Sequence, residues 1–520
     1  MDREPSPGNA RRDKVNTLGV VRKNTYFDSV TLMGISKQLH DLPGVAAASV
    51  SMGTDMNKEV LESGGFDGAA VADAGPNDLM IACLYEDGYE PDDILARVEG
   101  ALSAQNRSRG YVEEAPKTVV SAAALNDANL VVVSVPGAYA AAEACKALRA
   151  GLHVMMFSDN VSLEDEVALK QLAHEKNLLM MGPDCGTAII QGVPLCFANK
   201  VRRGPVGIVG ASGTGSQELS VLLDAAGIGV SQLIGTGGRD LSEAVGGIMF
   251  LDGIDALEDD PETTHLLLVS KPPHPAVLEK VCERIERSSK PVVACFLGAE
   301  DLEDAGNAIY VSDLESAVHA VMALLDPEAP IAVSEAVPVE VIPSGSYLRG
   351  LFCGGTLMEE AKQTFFAEMP ETVLYSNSAK GGAAALIDVG VSQGHTVLDL
   401  GDDFFTQGRP HPMIDPTVRN ERIVAEASDP ETAVILLDFV LGLGAHDDPV
   451  GAALPAIRAA QDAAMADGRQ VVFVAYVLGT DDDPQDKASQ CRRLAEAGVT
   501  VCASNAQAAK TAVSLVKEVR

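Results

Sequence analysis

The stretch VGIVGASGTGSQELS, residues 206–220, decides how this chain is read. Its apolar start, 206–209, predicts a strand. A loop with Gly210, Gly213 and Gly215 follows, and then a helical pattern carrying Glu218, Leu219, Val221 and Leu222. At the start of such a helix several backbone N–H groups point outward and the helix dipole adds partial positive charge. Glycines let an anion approach without a Cβ in the way. The spacing is not GxGxxG, and the sequence holds no Gly-Lys pair, which excludes a P-loop nucleotide site. A second stretch, LRGLFCGGTLMEEAKQTF at 348–365, repeats the order of strand, glycine turn and helix. Ser212, Thr214 and Thr356 add hydroxyl donors to the two turns.

Outward from these turns the pattern is α/β throughout. Residues 1–17 read as a polar tail, and 18–115 as a small N-terminal α/β domain of alternating strands and helices, ferredoxin-like in outline. RSRGYVEEAPKT, 107–118, reads as a linker. Short strands alternating with helices over 116–203 predict a parallel sheet, with Ser162 as the N-cap of a helix whose first turn is acidic. A second series covers 204–325. Residues 326–345 are rich in proline and glutamate and read as a linker, and a third series covers 346–520.

Composition narrows the function. The 520 residues are long enough for two to four domains of about 150 residues. Apolar residues make up 47% and aromatics only 4%, which suits tightly packed α/β layers. The net charge of −35, from 74 acidic and 39 basic residues, repels nucleic acid and anionic membranes. Nine scattered cysteines without a CxxC pair read as buried reduced thiols. The charged N-terminus MDREPSPGNARRDK has no apolar core of a signal peptide, and no apolar run reaches the ~18 residues of a membrane span. A cytoplasmic protein is expected. Metal-ligand spacings are absent, so no metal is expected.

The motifs MGPDCGTA, VGIVGASGTG, IGTGGRDLSEAVGG and KPVVACFLG, in this order, resemble the α subunit of succinyl-CoA synthetase. GLFCGGTLMEEA, VLDLGDD and AVILLDFVLGLGAHDDP resemble the phosphate-handling end of its β subunit. With TLMGIS, VMMFSDNVSLEDEVALK, VSKPP and GRPHPMIDPTVRN, the chain resembles the FdrA family from about Val21 onward. The resemblance implies a Rossmann-like CoA-binding-type domain at 116–203, followed by two flavodoxin-like domains of the synthetase type. It also implies that two helix starts share one phosphate. Ser212, Gly213, Thr214 and Gly215 would form one half, and Gly354, Gly355 and Thr356 the other. FdrA proteins are commonly labelled acyl-CoA synthetases. Some are implicated as a subunit of oxamate carbamoyltransferase in purine and allantoin nitrogen catabolism, which uses phosphate to split oxalurate into oxamate and carbamoyl phosphate.

The departures from the synthetases matter. Their phosphorylated histidine lies in the loop after the strand matching PVVACFLG, and here that place, 299–315, reads AEDLEDAGNAIYVSDLE, with no histidine. The N-terminal domain is too short for an ATP-grasp nucleotide site. The expectation is therefore phosphate-linked carbamoyl transfer by a multi-subunit enzyme, with phosphate or carbamoyl phosphate as substrate. No cofactor is required, CoA is possible, and a homo-oligomer is possible. The alternatives are an NDP-forming acyl-CoA synthetase and a non-catalytic phosphate- or CoA-binding scaffold. GDDFFTQGRPHPMID, 401–415, follows a strand and is dense in polar groups. From it Arg409 is expected to clamp a carboxylate and His411 to act as acid or base near neutral pH, oriented by Asp402 and Asp403. Arg239 is expected to contact an anion. Cys353, at the lip of the second turn, is where a helix start would depress a thiol pKa.

Overall fold

The computed structural model describes residues 15–517, except 26, 28, 41, 43, 67, 87–90, 109–115, 300–301, 329, 331–333, 380 and 408. Most of the expected linker at 107–118 lies outside the described residues. The chain forms two compact units. The first ends at Lys117 and takes in Ser134–Pro136, and the second holds Thr118–Val133 and Gly137–Arg520.

The first unit runs β1 (Val15–Arg22), α1 (Ser29–His40), β2 (Val45–Met52), α2 (Asp55–Ser63), β3 (Leu79–Glu86) and α3 (Pro91–Ser108). The sheet order is β1-β3-β2, with β3 antiparallel to both neighbours. The strand β3 is nearly all apolar because both its faces are covered. Leu79, Ile81 and Cys83 pack with Leu32, Ile35 and Leu39 of α1 and Ile94 and Val98 of α3. Met80 and Ala82 pack on the other side with Leu61 of α2 and with Val71. The described residues give three strands, one short of a ferredoxin-like sheet.

The second unit opens with α4 (Val119–Asn126), β4 (Leu130–Val133), α5 (Gly137–Arg149), β5 (His153–Met156), α6 (Leu163–Glu175) and β6 (Met180–Met181). The three strands are parallel, in the order β4-β5-β6. Ser162 caps α6 as expected, its Oγ accepting from Asp165 N–H at 3.1 Å.

Next come β7 (Thr187–Ile190), β8 (Val193–Cys196), β9 (Arg203–Gly210), α7 (Gly213–Ala225), β10 (Val230–Gly235), α8 (Ile248–Asp259), β11 (His265–Ser270), α9 (Pro275–Ile285), β12 (Val292–Phe296), β13 (Ala308–Val311) and α10 (Leu314–Leu325). Five parallel strands follow the order β10-β9-β11-β12-β13, the flavodoxin-like sequence second, first, third, fourth, fifth. The hairpin of β7 and β8 extends this sheet, antiparallel to β10. Residues 187–196 therefore hydrogen-bond across the 203/204 boundary read from the sequence.

The last series is β14 (Tyr347–Phe352), α11 (Gly355–Glu368), β15 (Leu374–Ser376), β16 (Ala384–Ala385), β17 (His395–Asp399), α12 (Asp403–Thr406), α13 (Thr417–Ser428), β18 (Thr432–Val440), α14 (Pro449–Ala466), β19 (Val472–Leu478), α15 (Lys487–Glu496), β20 (Thr500–Cys502) and α16 (Asn505–Lys517). Its sheet is parallel, with the core order β17-β14-β18-β19-β20 and β15 and β16 at one edge. All of β18, TAVILLDFV, is buried, as a parallel strand covered on both faces must be. The described part of 326–345 is pinned rather than free: Val337 N–H donates to Thr511 Oγ1 and Lys510 Nζ to Ser334 O, both at 2.9 Å.

Both glycine turns sit where the strand order reverses, between β9 and β11 and between β14 and β18. Open α/β sheets bind ligands at such points, because the flanking connections leave on opposite faces and open a crevice.

Candidate functional site

The two helix starts meet. Ser212 is the N-cap of α7, its Oγ accepting from Gly215 N–H at 3.0 Å, and the same oxygen lies 2.5 Å from Thr356 Oγ1 in the first turn of α11. A Cβ built on Gly354 would lie 3.0–3.1 Å from the Thr214 side chain, and one on Gly215 would lie 3.0 Å from Thr356 Cγ2. The structure thus brings Ser212, Thr214 and Gly215 of one turn against Gly354 and Thr356 of the other, while Gly213 and Gly355 face other parts of the chain. Four N–H groups at each helix start have no intrahelical partner, so two sets of donors converge here.

The turns differ in how those donors are used. At Gly213 the nearest atom to a built Cβ is Thr187 Oγ1, 4.0 Å away. Thr187 is 2% exposed, and its hydroxyl has no hydrogen-bond partner. A buried hydroxyl left unmatched costs free energy, and this one lies beside exposed Gly213 at a helix start, where a ligand could complete it. At the second turn Asp438, fully buried within β18, accepts from Cys353 N–H at 2.7 Å and from Gly354 N–H at 2.8 Å. Gly354 was expected to offer its N–H to an anion, but a carboxylate of the chain already takes it. The rest of α11's start is flanked by two side chains the sequence reading did not single out. A Cβ on Gly355 would run into the Asp399 carboxylate and would lie 3.2 Å from Lys271 Nζ.

Asp399 closes β17. Its main chain is held in both directions by Asn377, N–H to Oδ1 and C=O from Nδ2, each at 2.9 Å, and its Oδ1 accepts from Gly401 N–H at 2.9 Å. Burial pushes its carboxyl up to about 6, raised further by Asp402 and Asp438 and opposed by the Lys271 ammonium and the Gly401 N–H. It titrates near neutrality, which an exposed aspartate does not.

His411 lies beside the same loop, with Nε2 against the position a Gly401 Cβ would take. Burial pushes the imidazole down to about 4. This overturns the expectation of an acid or base near neutral pH: the ring stays neutral. Nδ1 accepts from Met413 N–H at 3.2 Å, so Nε2 carries the proton and can only donate. Arg409 is exposed, and its N–H donates to Thr406 O at 3.1 Å. The structure does not bury it against the two turns. Arg239 is already committed: Nη2 lies 2.8 Å from Glu166 Oε2 and donates to Val161 O at 2.9 Å. Beside it, fully buried Lys170 donates to Glu166, Asp240 and Thr236 O, so this is a structural tie between α6 and the loop after β10.

Cys353 is a buried thiol, in line with the reading of the cysteines as a group, and the helix start beside it does not activate it. Burial and the neighbouring Asp438 and Asp399 push its pKa up, against the pull of Arg419, whose Nη1 lies 2.9 Å from Sγ. Cys185 is likewise pushed up, to about 12. Sequence reasoning also passed over two acids deeper in the same helices. Glu218 and Glu360 are each the sixth residue of α7 and α11, and both are buried. Burial lifts them to about 8 and about 7, with Glu360's charge raising Glu218 further. Tyr476 O–H donates to Glu218 Oε2 at 2.7 Å, and Asn505 Nδ2 donates to Glu360 Oε2 at 2.8 Å. The signal was present: a glutamate at the same step after each glycine turn, six residues into each helix.

Residues 201–298 match the CoA binding domain family and 351–515 the CoA-ligase family. Residues 16–119 match a family described as AllF, heavy metal-associated domain. YahF of Escherichia coli (strain K12) is 49% identical over 499 residues, 94% of this chain and 96% of its own length. The chain belongs to the FdrA family. Subunit alpha 1 of the ADP-forming succinate–CoA ligase of Archaeoglobus fulgidus is 33% identical over 185 residues, which is 35% of this chain and 62% of that subunit. The malate–CoA ligase subunit alpha of Methylorubrum extorquens is 29% identical over 189 residues, 35% of this chain and 62% of that one. A dinucleotide-forming acetyl-coenzyme A synthetase from Ca. Korarchaeum cryptofilum, solved with phosphate and ADP, covers 78% of this chain and 87% of its own at 15% identity and a TM-score of 0.34.

The family thus carries CoA-ligase-type domains on a succinyl-CoA synthetase-like plan. A heavy metal is a poor fit to the first unit. Its one cysteine in 16–119, Cys83, is buried in the middle of β3 with its thiol pushed up to about 11. Among the described residues no group of three or more His, Cys, Asp and Glu side chains is arranged to hold an ion. Among the described residues no helix is long and apolar enough to cross a membrane.

Proposed function

We propose that this chain is the phosphate-handling subunit of an oxamate carbamoyltransferase, converting oxalurate and phosphate to oxamate and carbamoyl phosphate. The observation that carries the reading is the meeting of two helix starts at Ser212 and Thr356, with the open approach at Gly213 overlooked by the orphaned Thr187 hydroxyl. Phosphate would take the free N–H groups of the first turn of α7, where anion charge and helix dipole agree. The acyl carbonyl would lie toward α11, where neutral His411 has an N–H to donate. No histidine stands at 299–315 to carry a phosphoryl group. Transfer then needs phosphate but no nucleotide.

The purified chain, alone and with co-purifying subunits, is incubated with carbamoyl phosphate and oxamate and in parallel with radiolabelled ATP. Oxamate-dependent release of phosphate without nucleotide supports this reading. Acid-labile label on the chain that moves to an acyl group would replace it with the second reading, an acid–thiol ligase acting on CoA. That reading is favoured by the CoA-ligase and CoA-binding matches at 351–515 and 201–298.

A further inference from the structure

The reaction proposed above moves one proton, and the two helix starts supply nothing to carry it. An oxygen of HPO4²⁻ bonds to the carbamoyl carbon, and the bond from that carbon to the oxamate nitrogen breaks, its electron pair going to nitrogen. The phosphate hydroxyl proton must leave as the new C–O bond forms, and the nitrogen must gain a proton to depart as an amide. A single group that takes the proton from one and returns it to the other balances the step, provided it lies at the helix start and titrates close to the working pH.

We propose that Asp399 is that proton carrier and that Lys271 is the counter-charge held beside it; the assignment rests on the carbamoyl-transfer reading. The placement comes from the fold. Asp399 ends β17 and Lys271 follows β11, so each comes from a strand end of a different flavodoxin-like sheet, and both flank Gly355 at the start of α11. Asn377 on both sides of the Asp399 peptide and Gly401 N–H on Oδ1 hold the carboxyl in one orientation, leaving Oδ2 as the oxygen turned toward α11. The groups facing it are Lys271, Asp402 from its own loop, and Asp438 from β18, whose charge Arg419 of α13 shares, together with neutral His411. Of these acids, Asp438 has its oxygens engaged by two backbone N–H groups, and Asp402 is exposed. Asp399 alone combines a fixed carboxyl, partial burial and the helix start. The carboxyl sits near 6, so it is mostly ionised at pH 7 and ready to accept; a dianion beside it raises that value and makes it a better donor in turn.

The test is calorimetry of inorganic phosphate binding to the full-length chain at pH 7, in buffers of differing ionisation enthalpy, for wild type, Asp399→Asn and Asp399→Glu. A like charge raising the carboxyl by at least about one unit predicts that wild type takes up roughly 0.4 proton more than Asp399→Asn. By the same linkage Asp399→Asn, which mimics the protonated carboxyl, should bind phosphate about fivefold or more tightly than wild type, and Asp399→Glu should restore the proton uptake. In the carbamoyl phosphate and oxamate assay, Asp399→Asn should lower kcat by about 10²- to 10⁴-fold and remove the rise in kcat/KM through about pH 6. Phosphate heat with identical proton uptake in wild type and Asp399→Asn overturns the role of Asp399 alone. No phosphate binding to wild type overturns the site itself, and the carbamoyl-transfer reading with it.

Discussion

The start of α7 and the start of α11 are built on the same backbone plan and loaded in opposite ways. The first is a neutral turn, capped by a serine hydroxyl, open at Gly213 and faced by an orphaned threonine hydroxyl. The second has a glycine as N-cap, no side-chain cap, and acids around it: Asp438 on its N–H groups and Asp399 against Gly355. A helix start is electropositive in both cases. In one that potential is left for a ligand, and in the other it is spent on the chain's own carboxylates. Similar local sequence therefore does not mean similar work. One turn is suited to holding an anion and the other to holding a proton.

The largest effect should come from removing the acid that makes the second turn different. Asp438→Ala strands the buried Arg419 guanidinium, which lies 3.7 Å from Asp438 Oδ1, and orphans the N–H groups of Cys353 and Gly354. A loss of about 3–5 kcal/mol in urea unfolding is expected. Ser212→Ala, which removes the cap of the neutral turn and its hydroxyl contact with Thr356, should cost about 1–2 kcal/mol by the same measurement. Equal losses would erase the contrast.

Glu218 and Glu360 give a second contrast, in pH. Burial raises Glu218 to about 8 in the folded state, so ionisation is resisted there and not in the unfolded chain. Its penalty is absent below pH 4, grows as pH rises from the ordinary carboxyl range to 8, and is constant above. Glu218→Gln keeps an acceptor for Tyr476 and should be more stable than wild type at pH 9, by on the order of 5 kcal/mol, with no gain at pH 4. A gain that does not depend on pH would show that packing, not ionisation, is responsible.

Glycine substitutions sharpen the geometry. Gly213→Val meets open space and should leave the melting temperature within a degree or two while weakening phosphate about tenfold, as its side chain fills the approach. Gly355→Val meets Asp399 and Lys271 and should lower the melting temperature as well. The smallest effect is expected at Arg409, whose exposed guanidinium is screened by solvent. Arg409→Ala should change stability and co-substrate binding by no more than about 1 kcal/mol.

The α/β pattern and both turns were legible because an apolar run, glycines and a helical period are local signals. The pairing of the turns came from a resemblance, and the Ser212–Thr356 contact, between residues 144 apart, has no local trace. The acids were harder. Asp399 ends a strand and Asp402 lies three residues on in VLDLGDD, and the two look alike in sequence; burial and the Asn377 and Gly401 hydrogen bonds separate them. Asp438 was readable in principle, as a lone charge inside the otherwise uncharged TAVILLDFV. Thr187 leaves no local sign in the sequence, since an unsatisfied hydroxyl exists only once the chain has folded around it. His411 and Arg409 were chosen for residue type, but accessibility set their properties. The histidine is held neutral and the arginine stays in water.

The Ser212–Thr356 contact joins the two turns within one covalent chain. Two halves that had to find each other by diffusion would separate on dilution, with an occupancy that follows protein concentration. Here the connecting segment holds them at an effective local concentration that typically reaches the millimolar range, and lengthening it erodes that only slowly. The shared cradle should consequently survive at nanomolar protein, and its loss should track unfolding of the chain rather than dilution of the sample.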